Sequence, residues 1–353
     1  MRRATPIAIW AIVIATAASS CFASDWNKQL AAEYLDARQE AWFAWRAPAK
    51  DAGGACLSCH TGLTYLLARP ALRAALHDAT PTKRETALRE GITFRLESEK
   101  PGRMFKGRTK EPELTQAAAV QAVVETCALA TGKAPAEMLA KSLDRMLQLQ
   151  DAQGGFPWFD LHDSPWEEAK SGYFGGALAA AALDMAPAGY TDKTEVKRQI
   201  AAFEEYLKRE FSAQPLHHRL TLLSASQGIG KAVPADVRQA TLDETARLQH
   251  TDGGWTIAEL GPWKSKGNLV ENAESDNYAT AIAVMALQRA GGAKKSVESG
   301  LAFLRTHQDA ATGAWLASSM NHKYPPESMM FQFMNEAATA YAAIALLESE
   351  KKN

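Results

Sequence analysis

The hydrophobic residues of this chain fall into pairs of segments, and each segment has the periodicity of a helix. In the first segment of a pair, apolar residues recur every three to four positions, as at Leu143, Met146 and Leu147. The second segment, such as 175–185, is almost continuously apolar. Because a helix that is apolar all round is buried on every side, each pair predicts one amphipathic helix and one covered helix.

In three of the pairs the amphipathic segment ends in a similar glycine-containing turn. These turns begin at Gln150, Gln249 and Gln308 and read QDAQGGF, QHTDGGW and QDAATGAW. Their glycines supply the left-handed backbone conformation that commonly stops a helix. The repeated unit is therefore expected to be a helix, a turn and a second helix.

Weaker copies extend the repeat to six pairs, at intervals of about 40 to 60 residues. Such a period indicates one repeat architecture rather than two unrelated domains. An open solenoid is the simpler alternative, but a covered helix in every copy favours closure into two concentric rings. The outer helices are expected around 30–38, 87–96, 142–147, 200–211, 241–248 and 297–304, and the inner helices around 57–68, 115–130, 175–185, 217–228, 278–289 and 337–347.

The turn motif and the six pairs together resemble the squalene-hopene cyclase and protein prenyltransferase superfamily, over nearly the whole chain after residue 23. Residues 249–255 match the Q-x-x-D-G-G-W pattern fully, whereas Phe156 replaces its Trp in the third pair and Thr312 displaces its Asp-Gly in the sixth. The resemblance implies an all-α fold, an (α/α)6 toroid of the terpenoid cyclase and prenyltransferase type. It also implies structural roles, fastening successive outer helices, for Gln150, Gln249, Trp255, Gln308 and Trp315.

The first 23 residues have the features of an export signal. A basic start at Arg2 and Arg3 precedes an apolar stretch over 7–18 that is short for a membrane span. We expect residues 1–23 to be a signal peptide and 24–353 to form a single α/α-toroid domain in the periplasm. Cys21 follows small residues that loosely match a lipoprotein cleavage box, so membrane attachment is expected only if Cys21 is lipidated.

The charge of the chain gives no sign of a nucleic-acid partner. The sequence has 39 Lys and Arg against 40 Asp and Glu, and loss of Arg2 and Arg3 leaves 37 against 40, a formal charge of −3. Acids and bases are interspersed, with no basic stripe carrying interleaved aromatics. The charged residues are best explained as solvated helix faces.

The most specific chemical signal is the run Cys56-Leu57-Ser58-Cys59-His60. A C-x-x-C-H sequence is the attachment signature of c-type haem, in which two thiols add across the haem vinyl groups and the imidazole of His60 ligates iron. Because this haem is attached outside the bacterial cytoplasm, the export signal supports the same prediction. Structural zinc or a plain disulfide are the alternatives, although Cys127, the only other cysteine after the leader, lacks metal-ligand spacing.

A second candidate site comes from the resemblance. Bacterial cyclases of this kind use an Asp-x-Asp-Asp motif whose middle Asp protonates an alkene, and the nearest stretch here, 274–277, places Asp276 at the acid position with Glu274 in place of the first Asp. Such an acid needs a dry, aromatic-lined cavity, but only 8% of residues are aromatic. Helix N-cap or first-turn carboxylate, polar cavity residue and cyclase acid all remain open as roles for Asp276 and Glu274.

The other axial ligand of the iron is constrained by the expected ring. Opposite inner helices of a six-membered ring lie about 19 Å apart, and the gap of about 14 Å between their backbones suits a His–Fe–His bridge. The fourth inner helix carries His217 and His218, which could instead be a capping or surface pair. Met104, Met329, Met330, Met334 and His322 are rival ligands, although methionines at helical spacing more often fill a core.

Two classes of function follow. The first is an exported haem c protein with an apolar pocket, acting in electron transfer or haem-dependent redox chemistry with a periplasmic redox partner. The second is an isoprenoid-binding or cyclase-like protein that uses Asp276 as acid, in which haem is structural or sensory. For both classes of function we expect a cavity that admits an apolar small molecule.

Overall fold

The computed structural model describes residues 26–48, 50–98, 110–265, 268–269, 273–320 and 322–351. Within these ranges the chain forms twelve α-helices and four strands of two residues each. The helices are α1 Lys28–Ala44, α2 Gly62–Ala75, α3 Lys83–Glu97, α4 Glu113–Thr131, α5 Ala136–Leu147, α6 Gly172–Asp184, α7 Thr194–Glu210, α8 Leu216–Ala225, α9 Ala235–Arg247, α10 Asn277–Ala290, α11 Lys294–Thr306 and α12 Met329–Glu350.

The even-numbered helices form a closed inner ring. Each one packs against the next, from α2 through α4, α6, α8 and α10 to α12, and α12 packs back against α2. The odd-numbered helices lie outside, and several of them bridge two inner helices, as α11 does between α10 and α12. The six predicted pairs and the all-α toroid are therefore confirmed.

Small side chains bring the inner helices together. Helix α6 contains the run Ala179–Ala182, and its alanines are buried together with Leu178 and Leu183. Helix α12 likewise buries Ala337, Ala338, Ala340, Ala342, Ala343 and Ala345. Because interaxial distance follows the size of the side chains at the contact, these sequences suit a tight ring.

The first inner helix begins later than predicted. The sequence placed its start near residue 57, but α2 begins at Gly62, after the C-x-x-C-H run. The hydroxyl of Ser58 accepts hydrogen bonds from the backbone N–H groups of Thr61 and Gly62, at 3.0 and 3.1 Å, so these residues form a turn before the helix. A small antiparallel hairpin of β1 Lys50–Asp51 and β2 Gly54–Ala55 precedes the turn.

The second hairpin, β3 Lys264–Ser265 with β4 Asn268–Leu269, lies in the loop between α9 and α10. The last inner helix is longer than expected, because α12 starts at Met329 rather than near 337. The hydroxyl of Ser328 caps this helix by accepting a hydrogen bond from the backbone N–H of Phe331.

The repeated glutamines fasten one outer helix to the next. The side-chain amide of Gln249 donates to the carbonyl oxygen of Gly253 in its own turn, at 2.8 Å, and to that of Ser296 in α11, at 2.9 Å. Gln150 bonds in the same way to Gly154 and Gln199. The glutamine role implied by the resemblance is thus present in these copies.

The tryptophan of the motif fastens the turn to the preceding outer helix. The indole N–H of Trp255 donates to the carbonyl oxygen of Thr245, and that of Trp315 donates to the carbonyl oxygen of Leu304, both at 2.7 Å. Phe156 occupies the equivalent position in the third pair and has no N–H to donate. It packs instead edge-on against the ring of Phe203.

The copy of the fastening in the sixth pair closes the ring. Gln308 donates from its amide to the carbonyl oxygen of Asn27 at 3.0 Å and accepts from the backbone N–H of Asn27 at 2.6 Å. Gly313 in the same turn has a positive φ of 78° and lies so close to Leu30 that a Cβ atom there would approach its carbonyl carbon to 2.4 Å. The last turn motif therefore joins the first outer helix.

In the part of the chain that the structure describes, no helix is both long and apolar enough to cross a membrane. The proposed signal peptide at residues 1–23 and Cys21 lie outside the described residues.

We predict that Gln249→Ala lowers the free energy of unfolding by about 1 to 3 kcal/mol, because it removes two hydrogen bonds to partly buried carbonyl groups. Urea denaturation followed by circular dichroism measures this change. The matched control is Gln239→Ala, which removes an exposed hydrogen bond to Asp243 on α9 and should change the stability much less. A loss no larger than that of the control would contradict the fastening role, and a second unfolding transition would contradict a single closed ring.

Candidate functional site

The C-x-x-C-H run lies between the first hairpin and α2, and a buried arginine anchors that hairpin. Arg95 of α3 pairs with Asp51 of β1 at 3.3 Å and with Glu125 of α4 at 2.5 Å. Gly53 in the hairpin loop approaches Gly91 of α3 so closely that a Cβ atom on Gly91 would lie 2.5 Å from the Gly53 carbonyl oxygen. The hairpin is therefore held against α3 at one register, which fixes where Cys56 begins.

A hydrogen bond from the outer helix α1 holds the C-x-x-C-H run in place. The indole N–H of Trp42 donates a hydrogen bond of 2.9 Å to the carbonyl oxygen of Cys56. The Ser58 hydroxyl holds the following turn, as described above, and Cys59 and His60 are both buried. The two thiols and the imidazole are thus presented by a turn with a defined backbone.

All three predicted haem-binding side chains border one cavity of about 620 Å³. Cys56, Cys59 and His60 form part of its wall. Three aromatic side chains from α1, its C-terminal end and α12 complete the apolar surface, and two carboxylates of the loop between α5 and α6 add negative charge. These further lining residues are Trp42, Trp45, Phe333, Asp163 and Glu167.

The imidazole of His60 is stacked and hydrogen-bonded. Its ring lies 3.6 Å from the ring of Phe333, nearly parallel to it, and meets Trp42 edge-on at 5.3 Å. Burial lowers the pKa of His60 to about 3, so the ring is neutral at physiological pH. A neutral imidazole is the form that ligates a metal.

Hydrogen bonding decides which nitrogen of His60 carries the proton. When Glu336 is ionised beside Arg38, the hydroxyl of Thr61 donates to a carboxylate oxygen of Glu336, so its own oxygen accepts at 2.8 Å from Nδ1 of His60. Nδ1 therefore bears the hydrogen and Nε2 keeps its lone pair. This arrangement, a ligand imidazole oriented through its other nitrogen, is typical of metal-binding histidines.

Glu336 is the buried end of this chain of hydrogen bonds. Its carboxylate also accepts from the guanidinium of Arg38 in α1 at 2.7 Å. Burial raises the pKa of Glu336 to about 7, and the nearby Arg38 and the Thr61 hydroxyl oppose that shift. Glu336 was not among the residues predicted for the site, although it is the only charged residue between positions 329 and 347.

The three cysteines in the described part of the chain are buried. Cys56, Cys59 and Cys127 are thiols, and burial raises the pKa of Cys59 well above its ordinary value and that of Cys127 to about 12. Among the residues that the structure describes, no group of three or more His, Cys, Asp or Glu side chains is arranged to hold a metal ion. Iron in a haem differs in this respect, because the macrocycle supplies four ligands and the protein only the axial ones.

The structure places His217 and His218 away from this cavity. Helix α8 does lie opposite α2, as predicted, but Nε2 of His217 is hydrogen-bonded to the hydroxyl of Tyr278 at 2.8 Å and its Nδ1 to that of His218 at 3.0 Å. Burial lowers the pKa of both rings. Trp166 lies between the two sites, 5.5 Å from the ring of His60 and 6.0 Å from that of Tyr278, so a loop side chain separates His60 from the histidine pair.

Two of the rival axial ligands do border the cavity. Met330, in the first turn of α12, is 37% exposed, and His322 lies in the loop before it. Met329 contacts the guanidinium of Arg38 through its sulfur, and Met334 is buried in the core. Met104 lies outside the described residues.

Asp276 is the N-cap of α10. One carboxylate oxygen accepts hydrogen bonds from the backbone N–H groups of Tyr278 and Ala279, at 2.8 and 3.2 Å, and the other accepts from Ser318 at 2.7 Å. Burial raises the pKa of Asp276 to about 6, although the hydrogen bonds from these donors act to lower it. Glu274 is exposed to solvent, and neither residue borders the cavity.

Comparison with known proteins agrees with the fold. The family described as squalene-hopene cyclase C-terminal domain matches residues 216–350, which is α8 to α12 with their loops. Over these residues the match confirms the predicted resemblance to the squalene-hopene cyclase and protein prenyltransferase superfamily. No curated protein matches the chain.

We predict that Asp276→Ala lowers the free energy of unfolding by about 2 to 4 kcal/mol, because α10 loses its cap and the Ser318 N–H loses its acceptor. Thermal denaturation measures the loss. Asp236→Ala, at an exposed position in the first turn of α9, is the matched control and should be nearly neutral. If Asp276→Ala were as stable as this control, the capping role would be contradicted.

Proposed function

We propose that this protein is an exported c-type haem protein, built on a cyclase-like toroid, that carries out one-electron redox chemistry. The observation that carries the proposal is that two thiols and one imidazole, in the C-x-x-C-H order, border a single cavity. A cavity of about 620 Å³ is in the range of small-molecule and cofactor sites. The match to the cyclase family supports the scaffold and leaves the chemistry to the site.

The donor set fits covalent haem. Cys56 and Cys59 would hold the group by thioether bonds, and His60 would ligate the iron through Nε2, because Nδ1 is committed to Thr61. When bound, haem supplies an iron that changes between ferrous and ferric states. Trp42, Trp45 and Phe333 would form an apolar wall beside that centre.

Thr61 and Glu336, which lie behind His60, would affect the reduction potential of the iron. Glu336 draws the Thr61 hydroxyl hydrogen toward itself and thereby strengthens the acceptor that Thr61 offers to Nδ1. A more electron-rich imidazole stabilises the ferric state. The carboxylates of Asp163 and Glu167 border the cavity and act in the same direction, because negative charge favours the more positive iron.

Met330 and His322 are the further residues that would hold the iron of a bound haem together with His60, at the sixth axial position, and His217 and His218 stay a prediction. Met330 and His322 both belong to the wall of the cavity that contains His60. Occupation of this position by a protein side chain would favour electron transfer with a periplasmic redox partner, and an open position would favour catalysis or sensing.

The cyclase hypothesis has less support. An alkene-protonating acid must face the substrate cavity. Both carboxylate oxygens of Asp276 instead accept hydrogen bonds from backbone N–H groups. Asp276 borders neither the cavity beside His60 nor a second cavity at the other end of the ring. Glu274 is exposed. We therefore infer that the toroid retains the fold of the cyclase relatives and serves a haem instead.

Location in the periplasm is part of the proposal, since haem of this type is attached outside the bacterial cytoplasm. It is supported by the basic and apolar residues at 1–23. Lipidation at Cys21 is the alternative that would tether the protein to a membrane.

We predict that the protein, produced with a c-type maturation system, keeps its haem stain after denaturing electrophoresis. Cys56→Ala combined with Cys59→Ala should abolish the stain, because both thioether bonds are lost. Cys127→Ala, at a buried thiol outside the cavity wall, is the matched control and should retain it. A wild-type mature mass without the added haem would refute the proposal.

We predict that Glu336→Gln raises the reduction potential of the haem iron, because it removes the negative charge that polarises the Thr61–His60 hydrogen bond. Outer-shell changes of this kind commonly alter metal affinity or activity by about 10- to 100-fold. Spectroelectrochemical titration measures the potential. Glu244→Gln, which also breaks a pair with an arginine but on α9, is the control and should leave the potential unchanged. An unchanged potential in Glu336→Gln would show that this carboxylate does not act on the iron.

A further inference from the structure

A second cavity of about 410 Å³ lies inside the ring at its other end. The haem-motif cavity is next to the N-terminal ends of α2 and α12, whereas the second cavity is bordered by residues from the later turns of all six inner helices. One such residue from each helix, in chain order, is Ala71, Thr131, Ala181, Ala225, Met285 and Ile344.

The two cavities share no lining residue. Tyr341 borders the second cavity, and its ring lies 5.9 Å from the ring of Tyr278, which in turn contacts Trp166 above it. A layer of buried aromatic side chains therefore separates the two spaces. The second cavity is also at the opposite end of α10 from Asp276, which caps the N-terminus of that helix.

The wall is apolar and the rim is charged. Leucine, isoleucine, alanine and methionine side chains of the inner helices form most of the interior surface. Arg289 stands at the rim, where Glu348 accepts from two of its nitrogens, at 3.0 and 2.5 Å, and the carbonyl oxygen of Ser224 accepts from a third, at 3.1 Å. Lys351 borders the same rim, so two cations face one carboxylate there.

We propose that this second cavity binds a single-chain aliphatic carboxylate, with the chain between the inner helices and the carboxylate at the rim beside Arg289 and Lys351. An apolar enclosure with a few polar groups at one end is the usual construction of a small-molecule site, and the volume suits one chain rather than two. The excess of positive charge at the rim selects an anionic head group. The inference is independent of the haem, because no haem-binding residue borders this cavity.

Calorimetric titration of the purified protein with octanoate, decanoate and dodecanoate tests the site. Binding of one ligand per chain is expected, with the affinity rising about threefold to fourfold for each methylene group buried. Affinity that does not depend on chain length would overturn the proposal, and so would the absence of binding.

Two substitutions locate the ligand. Ala181→Met fills the cavity from α6 and should weaken dodecanoate binding at least about tenfold. Its matched control, Ala240→Met, adds the same side chain to an exposed position of α9 and should bind normally. Ala225→Met on α8 is a second cavity-filling variant. If one of the two variants does not fold, as judged by circular dichroism, the other still tests the location of the ligand. Normal binding in a folded filling variant would refute the location.

Lys351→Gln tests the head group and should weaken the binding of all three carboxylates by about the same factor, whereas Lys141→Gln on the exposed side of α5 should not. Equal affinity in the two lysine variants would refute the assigned orientation. Titration of Cys56→Ala with Cys59→Ala separates this inference from the haem proposal. Normal dodecanoate binding in that variant supports a site independent of haem, and lost binding overturns it.

Discussion

Close approach of six helices around one axis is the constraint on which the rest of this structure depends. An inner helix has neighbours on both sides within the ring and an outer layer behind it, so nearly every position must be small or apolar. The alanines of α6 and α12 meet that requirement. The constraint also explains where function can be placed: the helices are packed along their sides, and open space remains near their ends, where both cavities lie.

The ring could be predicted from the sequence because its repeated unit has local patterns: apolar residues at helical spacing followed by a glycine turn. Gln249 and Trp255 stand at fixed distances from a glycine turn. Gln249 joins two successive outer helices, as the resemblance implied, whereas Trp255 bonds back to the outer helix of its own pair. Helix limits were harder to predict wherever a polar side chain competes with helical bonding. The segment before Gly62 is apolar enough to continue α2, but the Ser58 hydroxyl takes up two N–H groups and produces a turn instead.

The candidate site was predictable only where residues are neighbours in the chain. Cys56, Cys59 and His60 share a motif, and the structure brings them to one wall. Glu336 and Phe333 reach the same site from more than 270 positions away, through contacts such as that between Thr61 and Glu336 across 275 residues. No local pattern encodes such a pairing. The position of His217 and His218 outside the cavity wall was hidden for a related reason, since ring geometry alone could not reveal that the side chain of Trp166 lies beside His60.

The contact between the first and last inner helices has a consequence for the order of events during biogenesis. The seam between α12 and α2 joins segments far apart in the sequence, so it closes only after α12 has emerged. Once it is closed, Cys56 and Cys59 are only 7% and 3% exposed, and burial disfavours the thiolate of Cys59. On the function proposed above, the attachment machinery must therefore reach the thiols while the ring is still open, and the late arrival of α12 sets the time available to it.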